Sequence, residues 1–224
     1  MCLILVAWRA RPGWPLLVAA NRDEFHARAA APAAFWPDHP GLLAGRDLEA
    51  RGTWMGVSRR GRFAAVTNYR GGHDPNAAES RGALVARYLA GDQPAERYAA
   101  EVAANGSRYS GFNLLLCDGE DLWWVSNRTA APRRLEAGHY GLGNNLLDTP
   151  EVADIRGAFA REGEAVESLF AVIAQGKIRA PIYGTRCSTV LRIATGGGID
   201  YAERPFDEQG AAGPTARYSL RRMS

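Results

Sequence analysis

The chain opens on two apolar runs separated by a polar break. Cys2-Leu3-Ile4-Leu5-Val6-Ala7-Trp8 and Leu16-Leu17-Val18-Ala19-Ala20 flank Arg9 to Pro15, and the second run passes straight into Asn21-Arg22-Asp23-Glu24. Short, partly β-branched runs on either side of Pro12-Gly13 predict two buried strands joined as a hairpin. Antiparallel pairing about that turn sets Cys2 opposite Arg22 or Asp23, and directly opposed residues have Cβ atoms about 4.5–5.5 Å apart. A thiol would thus meet a cation and a carboxylate at one strand end.

Phe25 to Leu43 is rich in alanine, proline and histidine without periodicity, and reads as a long ordered loop. Leu43 to Asp47 begins a second extended region. Thr53–Val57 and Phe63–Asn68 alternate as strands about Arg59-Arg60-Gly61, and Tyr69 to Ala78 is a loop. Ser80 is a helix N-cap, with Leu84, Val85, Tyr88 and Leu89 at helical spacing up to Gly91. Pro94 starts a second helix that carries Tyr98, Val102 and Ala103 on one face before Asn105-Gly106.

Strands return at Phe112–Cys117 and Leu122–Ser126, joined by the turn Asp118-Gly119-Glu120-Asp121. A short strand around His139–Gly143 runs into Asn144-Asn145. Two more helices follow, one opened by Pro150 with the stripe Val152, Ile155 and Phe159, the other marked by Val166, Leu169, Phe170 and Ile173. Thr189–Ile193, Gly198–Glu203 and Ala216–Leu220 are the last strands.

Strands, a helix pair, strands, a helix pair and strands again predict an α+β fold. Two mainly antiparallel sheets, each with a helix pair on its outer face, make a four-layer αββα sandwich in which every one-sided element hides its apolar face. The continuous runs Cys2–Trp8 and Leu114–Cys117 suit strands covered on both faces. A chain of 224 residues is expected to form one domain over 1–224.

Charge narrows the function classes. The formal charge is +3, and Lys177 is the only lysine. The arginines are scattered, with no basic stripe interleaved by aromatics, so nucleic acid is not an expected partner. No run reaches the length of a membrane span. The N-terminus lacks the basic region of a signal peptide and its apolar run stops at Arg9, so a cytoplasmic location is expected. Cys2, Cys117 and Cys187 are odd in number and show no CxxC spacing, so neither a disulfide framework nor a zinc site is expected.

Initiator methionine is commonly removed before a residue as small as cysteine. Removal would leave Cys2 with a thiol and a free α-amine whose pKa, about 7.7–8.0, suits a base near neutrality. An N-terminal amine that activates its own side chain makes a nucleophile without a histidine. Arg22 is expected to lower the thiol pKa, Asp23 to hold the ammonium form, and Asn68 and Asn145 to supply oxyanion donors. Taken singly, a cysteine in an apolar strand is more often a small core residue, and Asn-Arg-Asp-Glu a solvated turn. Their meeting at one hairpin end shifts the balance.

Met1-Cys2, Ala20-Asn21-Arg22-Asp23-Glu24, and Ala44-Gly45-Arg46-Asp47 followed by Gly52-Thr53-Trp54-Met55-Gly56-Val57 resemble the NRDE family, which includes the eukaryotic transport and Golgi organisation proteins. Phe63 to Arg70, Ser80-Arg81-Gly82, Gly143-Asn144-Asn145 and Gly184 to Val190 extend the resemblance over nearly the whole chain. It implies an N-terminal-nucleophile hydrolase fold and a remoter similarity to the choloylglycine hydrolase and penicillin V acylase group. Members of that group start Met-Cys but separate their Arg and Asp by two residues. Arg22 and Asp23 are adjacent, so in a continuing strand they face opposite ways.

The expected activity is hydrolysis of a non-peptide C–N amide bond with Cys2 as nucleophile. Arg22, Asp23, Asn68 and Asn145 would assist, and Asn21, Glu24, Arg46, Asp47 and Arg186 would line the ligand site. Arg186 would grip a carboxylate or phosphate, or else pair internally with Asp47 or Glu24. No cofactor or metal is required. The alternative is a non-catalytic carrier of haem or an acyl-CoA-like amphipathic ligand, with His26, His39, His73 and His139 as candidate haem ligands and no motif for covalent attachment.

Overall fold

The computed structural model describes residues 2–223. The opening hairpin forms as its pattern predicts, with β1 at Leu3–Arg11 and β2 at Trp14–Phe25 and Gly13 taking the positive φ of the turn. β2 does not stop at Ala20. It runs on through Asn21, Arg22 and Asp23, all of them buried, so this segment is strand and not the solvated turn that its residue types taken singly suggest.

The expected loop over Phe25 to Leu43 is instead a second hairpin, β3 at Ala30–Trp36 and β4 at His39–Asp47. Pro32 hid it. β3 lies at the edge of its sheet, where a proline costs no ladder bond, and its register slips between Ala31 and Ala34, which erases the alternation that marks a strand. β5 is Met55–Ser58 and β6 is Phe63–Asn68.

Helix α1 is Arg81–Ala90, capped as expected by the Ser80 hydroxyl on Gly82 N–H, and α2 is Ala95–Ala104. The first N–H of α2 is taken by the Asp118 carboxylate at 2.8 Å, a distant cap that no local pattern announces. β7 at Phe112–Cys117 and β8 at Leu122–Ser126 hold. β9 at Arg133–Leu135 is too short and polar to be read in advance. β10 is Gly138–Leu142, α3 is Ala153–Arg161 and α4 is Val166–Ala174. Then come β11 at Tyr183–Ile193, six residues earlier than its apolar core suggests, β12 at Gly198–Pro205 and β13 at Ala216–Arg221.

By contacts the chain divides into two compact units. The first comprises the segment up to Arg28, Ala137–Gly143 and Leu147–Arg222. Its sheet has the order β10-β1-β2-β11-β12-β13, antiparallel throughout. Helices α3 and α4 lie on one face, where Phe159, Phe170 and Ile173 pack on Leu3, Leu5 and Ala19. The alternate positions Ile4, Val6 and Trp8 are buried as well, as the unbroken apolar run of β1 requires. Arg11 closes α3 by donating to the carbonyls of Phe159, Ala160 and Glu162 at 3.3, 2.6 and 2.7 Å, a cation on the negative end of a helix.

The second unit comprises Ala29–Glu136, Asn144–Leu146 and, of the described residues after Arg222, Met223. Its seven strands run in chain order from β3 to β9. Helices α1 and α2 cover one face, where Leu84, Tyr88 and Val102 pack on Ala64, Leu114 and Val125. Two antiparallel sheets, each with one helix pair, are the α+β arrangement the pattern predicts.

Candidate active site

The register of three neighbouring strands sets the site. Leu3 lies opposite Asn21, and Asn21 opposite Ser188; Arg22 faces Cys187 and Asp23 faces Thr185. The ladder of β1 ends at Leu3, so Cys2 continues it next to Arg22. The Cys2 thiol donates to the main-chain carbonyl of Asp23 at 3.5 Å, and the Tyr183 hydroxyl donates to the same oxygen at 3.0 Å. One carbonyl therefore gathers a thiol and a phenol.

Asn21, Arg22 and Asp23 alternate across the sheet, as adjacent residues of a continuing strand must. Asn21 points toward the helices: its amide donates to Ile173 O at 3.0 Å and its oxygen accepts from Ser188 at 2.6 Å. It is a buried tie between β2, β11 and the end of α4. The Asp23 carboxylate accepts from the Thr185 hydroxyl at 2.6 Å, and that hydroxyl in turn accepts from Ile178 N–H at 2.8 Å. Arg22 goes to the opposite face. There it influences Cys187, whose thiol is directed at the buried Glu203 carboxylate at 3.7 Å while Thr189 donates to the same oxygen at 3.4 Å.

Arg22 acts on the Cys2 thiol in the expected direction but does not prevail. The thiol is pushed up to about 11. Burial is the main cause, the Asp23 carboxylate adds to it, and the opposing effect of Arg22 is smaller. A negative neighbour and lost solvent both disfavour thiolate. Burial also raises Asp23, against the pull of the Thr185 hydrogen bond. Burial raises Tyr183 too, with Cys2 as the next cause in size, so phenol and thiol are electrostatic neighbours as well as sharing an acceptor.

The remaining sequence-derived residues divide between structural roles. Glu24 accepts from Phe25 N–H at 2.8 Å and forms a partly exposed pair with Arg28 at 3.9 Å. Arg186 meets neither Glu24 nor Asp47; one of its nitrogens donates to the carbonyls of Phe25, His26 and Arg28 at 3.0, 2.9 and 3.3 Å. It occupies the irregularity between Thr185 and Cys187 in the ladder with β2 and ties down the chain leaving that strand. Arg186→Ala is expected to cost about 1.5–3 kcal/mol in urea unfolding, the range for charge-assisted hydrogen bonds, with faster proteolysis between Phe25 and Arg28. Unchanged cleavage there would contradict the clamp.

Arg46 and Asp47 belong to the second unit and serve its local structure. Arg46 grips Asp38 bidentately at 2.7 and 2.8 Å and stacks on Trp36, holding the Asp38 carboxyl below its usual range. Asp47 caps the turn at Glu49 and Ala50. Asn68 and Asn145 lie in that unit too, where Asn144 and Asn145 are tied to β6 and β7. Asn144 donates to Asn68 O at 2.7 Å and Asn113 to Asn145 O at 2.8 Å.

Of the histidines, His39 and His73 are exposed, and His26 shares a hydrogen bond with Ala180 O at 3.1 Å. Burial, with Arg11 and Arg156 nearby, lowers His139. Among the described residues no three His, Cys, Asp or Glu side chains converge as a metal site, and no helix is long and apolar enough to cross a membrane. Sequence reasoning missed Thr185 and Tyr183. Both flank or lie within the Gly184–Val190 motif, and the usable signal was that motif's strand pairing with Asn21–Glu24.

The family model described as Transport and Golgi organisation 2 matches residues 1–176. The chain belongs to the Transport and Golgi organisation 2 family. A Bos taurus Transport and Golgi organization protein 2 homolog is 34% identical, over 91% of this chain and 92% of its own length. The Homo sapiens homolog is 31% identical with the same coverage. Among solved structures, the C2A mutant of a conjugated bile acid hydrolase from Clostridium perfringens superposes with a TM-score of 0.56 at 9% identity, over 99% of this chain and 98% of that one. A Caenorhabditis elegans ortholog of N-acylethanolamine-hydrolyzing acid amidase gives 0.54 at 12%, over 85% and 92%. This member of the Transport and Golgi organisation 2 family therefore has the fold of the N-terminal-nucleophile hydrolases, as its motifs imply.

Proposed function

We propose that the protein is an N-terminal-cysteine amidohydrolase acting on a linear, non-peptide C–N amide, with Cys2 as nucleophile after removal of Met1. The observation that carries this reading is the convergence of the Cys2 thiol, the Asp23 backbone and the Tyr183 hydroxyl at one strand end. A thiol with a pKa near 11 is almost wholly protonated at neutrality, so the reading needs a base beside it, and a freed α-amine on the same residue is that base. The amine takes the thiol proton as sulfur attacks the carbonyl carbon. The proton passes to the leaving nitrogen as the C–N bond breaks, and water then hydrolyses the thioester to regenerate the thiol. Asp23, fixed by Thr185, is the positioning residue for the ammonium form.

Intact mass and covalent labelling test this together. Cellular protein lacking Met1 should form a stoichiometric adduct with an amide-mimicking electrophile, and Cys2→Ala should lose it. Retained methionine in fully processed protein would overturn the mechanism.

The raised thiol favours a second reading if methionine stays: a carrier for haem or an acyl-CoA-like ligand, without chemistry at Cys2. Haem binding no tighter than to an unrelated protein, and insensitive to His26→Ala and His139→Ala, would remove its histidine-ligated form.

A further inference from the structure

Among the described residues, four large apolar side chains stand exposed: Phe25, Leu48, Ile182 and Met223. Two of the four meet at one place. Phe25 is 54% exposed and Ile182 is 70% exposed, and between them lies Tyr183. The Phe25 ring packs edge-on to Tyr183 with centroids 5.3 Å apart, and the two residues are opposed across β2 and β11. Ile182 is held to the same segment by the hydrogen bond from His26 N–H to its carbonyl at 3.0 Å.

This cluster is continuous with the candidate nucleophile. The far end of Tyr183 donates to the carbonyl that receives the Cys2 thiol. The ring of Tyr183 thus spans from the thiol to an exposed phenylalanine. Nor is the cluster a loose loop tip, because Arg186 pins the carbonyls of Phe25, His26 and Arg28. Holding bulky apolar groups exposed to water does not help to close a core that Leu3, Leu5 and Ile173 already fill. Apolar surface that is fixed in advance beside a polar reacting group is what an apolar ligand requires.

We infer that Phe25, Ile182 and the ring of Tyr183 form the recognition lip for an aliphatic chain on the substrate, whose amide carbonyl is presented to Cys2. The ligand class is an amide bearing an unbranched alkyl or acyl chain. The chemical role of that chain rests on the amidohydrolase reading; the position of the lip beside Cys2 does not.

Matched electrophiles separate the two. Cys2 is alkylated at one fixed pH with iodoacetamide and with N-octyl iodoacetamide, and labelling at the Cys2 peptide is followed by mass spectrometry. The octyl reagent should react about tenfold faster, since each methylene placed on apolar surface favours association severalfold. Phe25→Ser and Ile182→Ser should each reduce the octyl-to-parent ratio toward one, while Phe25→Leu restores most of it. That restoration is not expected of a merely damaged fold.

Equal rates for both reagents in the wild type would overturn the inference, as would a ratio untouched by the serine variants. Binding to phosphatidylcholine vesicles that Phe25→Ser abolishes, with no chain dependence at Cys2, would reassign the cluster to a lipid surface. Chain-dependent labelling without amide hydrolysis would leave the lip standing and remove the enzyme reading instead.

Discussion

Gly52→Ala is expected to destabilise the protein by about 3 kcal/mol or more, the upper range for inserting a methyl group where nothing can yield. A Cβ at Gly52 would lie 2.5 Å from Gly82 C and 2.7 Å from its oxygen. Both neighbours are main chain in the first turn of α1, and Thr53 N–H donates to Gly82 O at 3.2 Å. Relief would require moving the helix start and breaking that bond. At roughly 2–4 °C per kcal/mol for a chain of this size, the melting temperature should fall by about 6–12 °C. Gly41→Ala, whose Cβ would meet nothing within 4 Å, is the control and should stay within about 0.5 kcal/mol. A Gly52→Ala protein as stable as that control would mean the two backbones do not approach so closely.

The second large effect concerns Cys2 in chains that retain Met1. A thiol at about 11 leaves about one part in a thousand as thiolate at pH 8, roughly two orders of magnitude below an ordinary thiol at about 8.5. Alkylation of Cys2 should accordingly be slow at pH 8 and climb without a plateau through pH 10. Asp23→Asn keeps the acceptor for Thr185 and removes a negative charge that disfavours thiolate. The midpoint should therefore move down, by about one unit, and the rate at pH 8 should rise about tenfold. A midpoint unchanged or moved up would show that Asp23 does not bear on the thiol.

These two predictions differ in how far the sequence alone led to them. The Cys2 site was legible because a seven-residue apolar run, a Pro-Gly turn and a second run fix a hairpin register to within one residue, and Leu3 opposite Asn21 is that register. Its electrostatics were not. The balance of burial, Asp23 and Arg22 at one sulfur depends on which face each side chain takes, and adjacency in sequence does not say whether a strand continues. It continues through Phe25 because β11 pairs with it as far as Tyr183, a partner that no local pattern of Asn-Arg-Asp-Glu discloses.

The motif glycines show the opposite case. Gly52 and Gly82 stand out in sequence as parts of family motifs, yet their reason is a contact between segments thirty residues apart. Gly45 is similar: a Cβ there would lie 2.3 Å from the Trp54 ring, so Gly45 and Trp54 are two halves of one packing requirement. Arg46 and Asp47 were drawn into the expected ligand site by the same motif. They turn out to hold Asp38 and a turn, because a motif records constraint without saying whether packing or chemistry imposed it. Pro32 and the alanines of β3 misled for a third reason: an edge strand with a slipped register has neither alternation nor ladder to betray it.

The strand order of the first sheet also bears on how the protein is made. β1 and β2 leave the ribosome first, but β2 must wait for β11, whose Tyr183 meets Asp23 across 160 positions. At about 5–20 residues per second that wait lasts roughly 8–30 s. Throughout it the β2 edge of the nascent hairpin stays unpaired and strongly apolar, the β1 edge being covered earlier by β10, and such an edge is the surface on which strands from neighbouring chains add. The residues that carry the proposed chemistry are thus the earliest synthesised and among the last enclosed, and a cell starved of chaperones should lose this protein to aggregation during synthesis rather than after it.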